Sequence, residues 1–485
     1  MSGAVQRVAV YGGGVAAAMA ALAIARAFAR LGTEVTWVDT GEAPPPHAAL
    51  VAPPDLATFH RLLGIDEAAL ARQAAATFNM GQQYAGWSGG ETAFLHAYGD
   101  AGTPYASLPF VQHWARARAA GLRVGLEDFC LAAAAAKEGR TGERGEATGQ
   151  AVKRGWHLDA AGYARLLRGA CEEAGVRIVP GQDAVPERDG TKLAALTLAD
   201  GQRVAADLFV DADGALISML DPGGAEQEAL LCDRVLRASG APFDPLPLYS
   251  RTAAHPAGWT TLIPLADRTA VEFFYDGARL SDADARAALA AMIGRPVEGA
   301  SEPVGAATRA RLWVDNVVAI GRAAGDAPPL DGADLLLLQL AIAQLVLLWP
   351  LDRAAMPEAD IYNEEIGGGR ARVHDFTAQH FRLNARSEPF WAAARAAPVS
   401  SELASKIDLF AARGMFAHYN HEAHVEDGWV LVMAGHGVVP RGFDPQALQV
   451  DDPALMAEFQ RQLRAVATDV RAMDTHADAL RRLWA

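Results

Sequence analysis

Three short stretches of this chain carry residue types that could do chemistry. The first is Gly12-Gly13-Gly14-Val15-Ala16-Ala17, a GxGxxA run. In that pattern Gly12 makes a tight turn, Gly14 lets backbone amides approach a diphosphate, and Ala17 permits close helix–strand packing. A helix starting near Val15 aims its N–H groups and positive dipole end at such an anion. Asp39 closes the next apolar run, where a carboxylate accepts from a ribose hydroxyl. The second stretch is Asp211-Ala212-Asp213-Gly214, at the end of an apolar run through Leu208. The third is Gly321, between the run Asn316–Ile320 and the apolar stretch Leu335–Trp349. The turn alone serves NAD and FAD equally. Together with two distant pieces it points to FAD held by a discontinuous domain, a nucleotide-free turn of the same shape being the plain alternative.

These residues need elements to hold them. Arg7–Tyr11 is expected to be a strand, Val15–Arg30 a helix of good formers, and Glu34–Val38 a strand ending at Asp39. Residues 43–55 are rich in proline and read as a loop. Ala57–Ala75 reads as one helical stretch, and Thr77–Trp87 alternates too poorly to assign. The segment Ala132–Lys153 passes from alanines into glycines and charges, which predicts a solvated, mobile loop. Leu158–Val176 predicts a helix capped by Asp159. Leu193–Leu198 and Arg203–Val210 flank Asp200-Gly201 as a hairpin, its second strand running on to Asp211. Leu335–Trp349 falls short of the ~20 residues a bilayer needs and predicts a buried helix. The run Val15–Ala29 follows a glycine turn rather than basic residues, unlike a signal peptide. No repeat is visible. The expectation is an α/β, Rossmann-like FAD-binding fold of the GxGxxG flavoprotein kind, with an interleaved, helix-rich substrate lobe in one two-lobed body. The FAD-binding lobe is drawn from 1–55, 155–222 and 300–350, and the substrate lobe from 56–154, 223–299 and 351–485.

Composition excludes several other classes. The 485 residues are 51% hydrophobic and 21% charged, which is neither a disordered chain nor a coiled-coil rod. Net charge is 43 − 58 = −15, and the only lysines are Lys137, Lys153, Lys192 and Lys406. Nucleic acid and anionic membrane need a basic field and are not expected partners. Cys130, Cys171 and Cys232 form no disulfide framework and no CxxC pair, so a reducing, cytoplasmic location is the economical expectation. No P-loop, GxSxG elbow or Ser-His-Asp order is present. His418, His421 and His424, placed on a helix, would fan over about 120° instead of converging, so no metal site is expected.

The chain resembles the flavin-dependent tryptophan halogenase family over most of its length. The similarity runs through Tyr11-Gly12-Gly13-Gly14, Leu63-Gly64-Ile65-Asp66-Glu67, Ala76-Thr77-Phe78 and Trp156-His157-Leu158-Asp159-Ala160. It continues through Asp207-Leu208-Phe209-Val210-Asp211 with Gly214, and Gly258-Trp259-Thr260-Thr261-Leu262-Ile263-Pro264. Asn316 to Leu330, His380-Phe381, Arg386, Pro389-Phe390-Trp391 and Gly435-His436-Gly437 complete it. The resemblance implies reduced FAD from a separate flavin reductase, oxygen, and hypohalous acid that crosses an interior tunnel to an aromatic substrate. It also implies that His96, Trp259, Phe390 and Trp391 line the substrate region.

The departures fall where that family does its chemistry. A lysine amine that captures the oxidant is expected after Ala-x-Phe, and this chain has Asn79; its partner glutamate is replaced by Asp331, followed by Gly332. The second tryptophan of the Trp-x-Trp pattern is Thr261, and the Gly-Glu-Ala-Thr flavin strap gives way to Leu50-Val51-Ala52-Pro53-Pro54. Arg322 and Asp326 add charge to a loop the family keeps small. Asp331 also reads as a helix N-cap, Asn79 as an ordinary bonded amide, and His96 and Trp259 as core residues. The resulting expectation is an FAD-dependent halogenase- or monooxygenase-like oxidoreductase acting on an indole-like or other aromatic molecule, with lysine-dependent halogenation lost or altered. The alternative is a non-catalytic family member serving as a partner subunit or binding protein. Halide is a candidate co-substrate, and a homodimer is compatible with the sequence.

Overall fold

The computed structural model describes residues 3–89, 93–227, 231–305 and 307–484. The chain divides into two compact units: Met1–Ala76, Leu158–Leu230 and Gly305–Ala371 form the first, and Thr77–His157, Leu231–Val304 and Arg372–Ala485 the second.

The first unit is built on a six-stranded sheet in the order Trp313–Val314, Val317–Ala319, Leu208–Asp211, Arg7–Tyr11, Glu34–Asp39, Arg177–Pro180. Every neighbouring pair is parallel except the first. Arg7–Tyr11 lies in the middle and is buried on both faces, as a near-continuous apolar run in a parallel sheet should be. The helix Gly14–Phe28 makes the crossover to Glu34–Asp39, and its small residues from Ala17 to Ile24 are all buried. The helix Ala160–Glu173 starts as expected, with the Asp159 carboxylate accepting from Gly162 N–H at 2.7 Å. Residues 56–76 belong to this unit because Gly162 brings that helix against them: a Cβ there would stand 2.2 Å from the Gln73 carbonyl oxygen.

Two expected elements are divided. Ala57–Ala75 is two helices, Asp55–Leu63 and Glu67–Gln73, because Gly64 turns left-handed (φ 66) and closes the first with its N–H on the Arg61 carbonyl. The hairpin strands Lys192–Thr197 and Arg203–Ala205 pair antiparallel, but the second stops at Ala205. Asp207 then accepts the backbone N–H groups of Gln6 and Arg7 at 3.1 and 2.9 Å, and so steers Leu208–Asp211 into the parallel sheet instead.

The second unit carries a seven-stranded sheet in the order Glu302–Pro303, Arg234–Gly240, Thr269–Tyr275, Gly258–Pro264, Ser250–His255, Gly81–Ala85, Ala93–Ala97. All pairs are antiparallel except Ser250–His255 with Gly81–Ala85. Leu236, Ala238, Val271 and Phe273 on the sheet pack against Ala285 and Leu289 of the helix Asp282–Ile293. The unassigned stretch Thr77–Trp87 is two strands, Thr77–Asn79 and Gly81–Ala85. Their junction needs glycine, since a Cβ on Gly81 would meet the His96 carbonyl oxygen at 2.2 Å.

The expected mobile loop is pinned. After the short helix Leu131–Lys137, Arg140–Thr141 pairs with Asp474–Thr475, and the Asp469 carboxylate accepts from Ala147 and Thr148 N–H at 2.9 and 2.8 Å. Glycines and charges predict exposure locally but not a carboxylate arriving from a distant helix. Asp469→Ala should therefore cost about 2–4 kcal/mol, since a buried acceptor of two amides is removed. Amide hydrogen exchange at Ala147 and Thr148 should accelerate with it, and unchanged protection there would show that the loop holds itself.

Candidate active site

In the first unit the three separated sequence pieces meet at one end of the parallel sheet. Gly12 and Gly14 take left-handed backbone angles (φ 134 and 65), and a Cβ on Gly12 would strike Ala212 Cβ and Asp213 Oδ1 at 2.8 Å. Trp37 Nε1–H steadies the turn by donating to the Gly12 carbonyl at 2.8 Å. Gly214 (φ 96) precedes the short helix Ala215–Leu220, and a Cβ there would approach Ala323 at 3.6 Å. Gly321 (φ 52) faces the first turn of the Gly14–Phe28 helix, where a Cβ would meet Ala16 Cβ at 3.1 Å. Gly12, Gly14, Ala17, Gly214 and Gly321 are thus brought together around one helix N-terminus.

The carboxylates at this end are all engaged. Asp211 accepts from Asp213, Gly214 and Ile217 N–H at 3.1, 2.8 and 2.8 Å, while burial pushes its pKa up to about 6 against those bonds. Asp39 accepts from Gly41 N–H at 3.0 Å and pairs with Arg168 at 2.5 Å. Asp213 accepts from Gly13 N–H at 3.4 Å and from the Thr40 hydroxyl at 2.7 Å. Glu42 lies against Gly13 and forms a two-pronged ion pair with Arg322, at 2.8 and 2.6 Å. The glycine cradle fits the diphosphate of a flavin dinucleotide. The Gly12 N–H is given to the Val38 carbonyl at 3.2 Å, so the Gly13 and Gly14 amides with the helix end would hold it, and Asp39 retains lone pairs for a ribose hydroxyl. Arg322 is the charge that the sequence adds to this loop. Its partner Glu42, the role of Asp213 and the Arg168–Asp39 pair depend on contacts between distant residues.

Asp331 is 4% exposed and is not the N-cap. It and Gly332 are both left-handed (φ 54 and 67), and Gly332 occupies the cap position of the helix Ala333–Leu347. A Cβ on Gly332 would meet the Val51 carbonyl oxygen at 2.1 Å, so the chain bends tightly past the strand Ala49–Ala52. Close approach to that strand, not helix capping, accounts for the local shape.

In the second unit Asn79 is fully buried. Its Oδ1 accepts from Gly81 N–H at 3.1 Å and its Nδ2 donates to the Tyr98 hydroxyl at 3.3 Å. From Tyr98 an aromatic series runs through His96 and Phe376 to His380, with ring centroids 5.7, 5.1 and 6.1 Å apart. His380 also stands 6.1 Å from Trp87, which packs on Trp391 at 4.6 Å and on Trp259 at 6.1 Å. Phe390 lies edge-on to Trp391 at 5.1 Å. His96, Trp259, Phe390 and Trp391 therefore belong to one continuous buried cluster, joined by buried Trp87 and His380 and by the partly exposed Tyr98, none of which was among the expected site residues. Trp391 Nε1–H donates to the His255 carbonyl at 2.7 Å, whereas the indole N–H groups of Trp87 and Trp259 find no acceptor among the described residues. A cavity of about 310 Å³ in the same unit is lined by Asp100, Thr103, Phe110, Gln150, Glu426 and Asp427. Burial, then the Asp100 and Glu426 charges, raise Asp427 to about 6.

His418, His421 and His424 lie in a turn between Ser401–Arg413 and Glu426–Gly435, not on a helix. His418 pairs with Glu426 at 3.0 Å and His424 stacks on Phe376 at 3.7 Å. Among the described residues no three metal-binding side chains converge. Lys406 is buried against Phe416 and Trp429 and paired with Glu422.

A parallel sheet with a glycine turn at its carboxyl end, joined in one chain to an aromatic-rich mixed unit, defines a flavoprotein-type α/β oxidoreductase. The chain belongs to the tryptophan halogenase family, whose model matches residues 7–473. It is similar to the tryptophan 7-halogenase RebH of Lentzea aerocolonigenes, 26% identical over 523 residues that cover 96% of this chain and 97% of the relative. Among solved structures it is similar to BrvH, a flavin-dependent halogenase from Brevundimonas sp. BAL3, with 29% identity, a TM-score of 0.91 and 99% of each chain covered. A flavin-dependent halogenase from Xanthomonas campestris is 30% identical with a TM-score of 0.91, over 99% of this chain and 98% of that one.

Proposed function

We propose that this protein is an FAD-dependent enzyme that oxidises an indole-like or other aromatic substrate by halogenation or oxygenation, without the lysine amine its family uses. Bound reduced FAD, delivered by a separate flavin reductase, would supply the electrons that activate oxygen. The first unit holds the dinucleotide through Gly12–Gly14 and the Asp39 end of the sheet. The second unit packs Trp87, Trp259 and Trp391 into one buried, electron-rich cluster, in the region where the family resemblance places an aromatic substrate. The full-length match to flavin-dependent halogenases supports the enzyme reading, and one observation carries the departure. At the lysine position the Asn79 amide is committed to Gly81 and Tyr98, and its nitrogen lone pair is delocalised. Such a group positions the Tyr98 phenol; it does not capture an electrophile. Three buried, unbridged cysteines suit a reducing compartment.

The deciding experiment incubates the purified protein with FAD, a flavin reductase, oxygen, bromide and a panel of indoles and phenols, with mass spectrometry of the products. Flavin retained by the protein and a product heavier by one bromine or one oxygen are expected. A folded protein that retains no flavin and yields neither product overturns the reading in favour of a partner subunit.

A further inference from the structure

We propose that Asp213 and Glu42 compete with a flavin diphosphate for the groups that would bind it, and so set how tightly this chain holds FAD. The inference rests on the flavin reading above. The amides of the glycine turn and the positive end of the Gly14–Phe28 helix form an anion site. In this structure a carboxylate already uses part of it. Asp213 Oδ1 takes the Gly13 N–H at 3.4 Å, and the Thr40 hydroxyl holds the other oxygen at 2.7 Å. One amide hydrogen cannot serve Asp213 and a phosphate oxygen together at full strength. A carboxylate beside a diphosphate also repels it in a site of reduced dielectric.

Glu42 acts on the second group. Its backbone nitrogen would lie 2.7 Å from a Cβ built on Gly13, so residue 42 is seated directly over the turn. Its carboxylate binds both terminal guanidinium nitrogens of Arg322, at 2.8 and 2.6 Å. A guanidinium fork suits phosphate as well as carboxylate, so release from Glu42 makes it available to the ligand. The Tyr11 phenol has its pKa raised, first by burial and then by Asp213 and Asp211, which marks a negative field at this strand end. Binding is then an exchange in which Asp213 gives up the Gly13 amide and Arg322 trades Glu42 for phosphate.

Asp213→Asn keeps the size, removes the charge and leaves only a weaker, neutral acceptor for the Gly13 N–H, and Glu42→Gln removes the charge at the ion pair. Each full-length protein, with wild type, is titrated with FAD, with ADP as the diphosphate probe and with riboflavin, which lacks phosphate. Circular dichroism checks that each is folded. Asp213→Asn should lower the FAD and ADP dissociation constants at least tenfold and leave riboflavin unchanged. Glu42→Gln should lower them less, because its pair with Arg322 is half exposed and screened. FAD bound equally or more weakly by folded Asp213→Asn sinks the inference and leaves the flavin reading intact. FAD bound by none of the three folded proteins removes both.

Discussion

Asn79→Lys combined with Asp331→Glu should raise halogenated product by about 10²-fold when flavin reductase, oxygen and bromide are supplied, the scale a positioned proton-transfer or nucleophilic group contributes. An amine has the free lone pair that the Asn79 amide lacks. The pairing of the two changes rests on the family resemblance, because the residues lie in different units. The gain comes with a cost. Asn79 is fully buried, and lysine cannot accept the Gly81 N–H that Oδ1 now takes at 3.1 Å. Leaving that amide unsatisfied costs about 1–3 kcal/mol, and burial favours the neutral amine, the reactive form. The midpoint of thermal unfolding should therefore drop while halogenation appears. Asn79→Lys alone should restore less, since the shorter Asp331 is retained. A double variant that is folded, holds FAD and still makes no halogenated product places the loss elsewhere, first of all in the Pro53-Pro54 segment where the family has its strap.

The shape of the glycine turn is legible in the sequence because its information is local. Gly12, Gly14 and Ala17 are fixed by one turn, one strand and one helix within a short run, and Asp39 by the strand that follows. The same holds for Asp159, which caps the helix it precedes. Asp331 looked the same in sequence, yet Gly332 takes the cap position, because the left-handed pair answers to Val51 on another strand. What the sequence could not disclose is set by partners far along the chain. Asp39 meets Arg168, Gly13 meets Asp213, and Glu42 meets Arg322. The loop Glu143–Gly149 has the composition of a mobile segment and is held by Asp469. Periodicity and propensity carry no record of such pairs. The family resemblance names His96, Trp259, Phe390 and Trp391 separately, and the fold shows Trp87 and His380 joining them in one cluster.

Stability should fall steeply below pH 6, by about 5 kcal/mol between pH 6.5 and 4.5, a loss comparable to the whole stability of many domains. Burial lowers His60 to about 4, His157 to about 3 and His476 to about 4, and holds His436 well below the usual value with help from His380. At His476 and the His380–His436 pair the hydrogen bonds also require a neutral ring, while at His157 burial, rather than a hydrogen bond, disfavours the second proton. His476 accepts from Phe78 N–H at Nε2 (3.3 Å) and donates from Nδ1 to the Leu246 carbonyl (3.1 Å), so a second proton would set two donors against each other. Thr77 donates to the Pro264 carbonyl at 2.6 Å, which obliges His157 Nδ1–H, 3.0 Å away, to be the donor to its hydroxyl. His380 and His436 share one proton across 3.0 Å. A histidine whose folded pKa is depressed loses stability as pH falls through the unfolded value near 6.5, about 1.4 kcal/mol per unit each. Asp211 and Asp427, raised to about 6, act in the opposite sense, since the folded state binds their protons first between about pH 6 and 4. Four histidines against two aspartates leave a net slope of roughly two protons taken up on unfolding near pH 5.5. Urea unfolding at pH 7.5, 6.5, 5.5 and 4.5 measures that slope. His476→Asn, which can still accept from Phe78 and donate to Leu246, should reduce it by about one proton. An unfolding midpoint that stays level or rises from pH 6.5 to 4.5 would mean that these imidazoles are hydrated and charged in the folded protein.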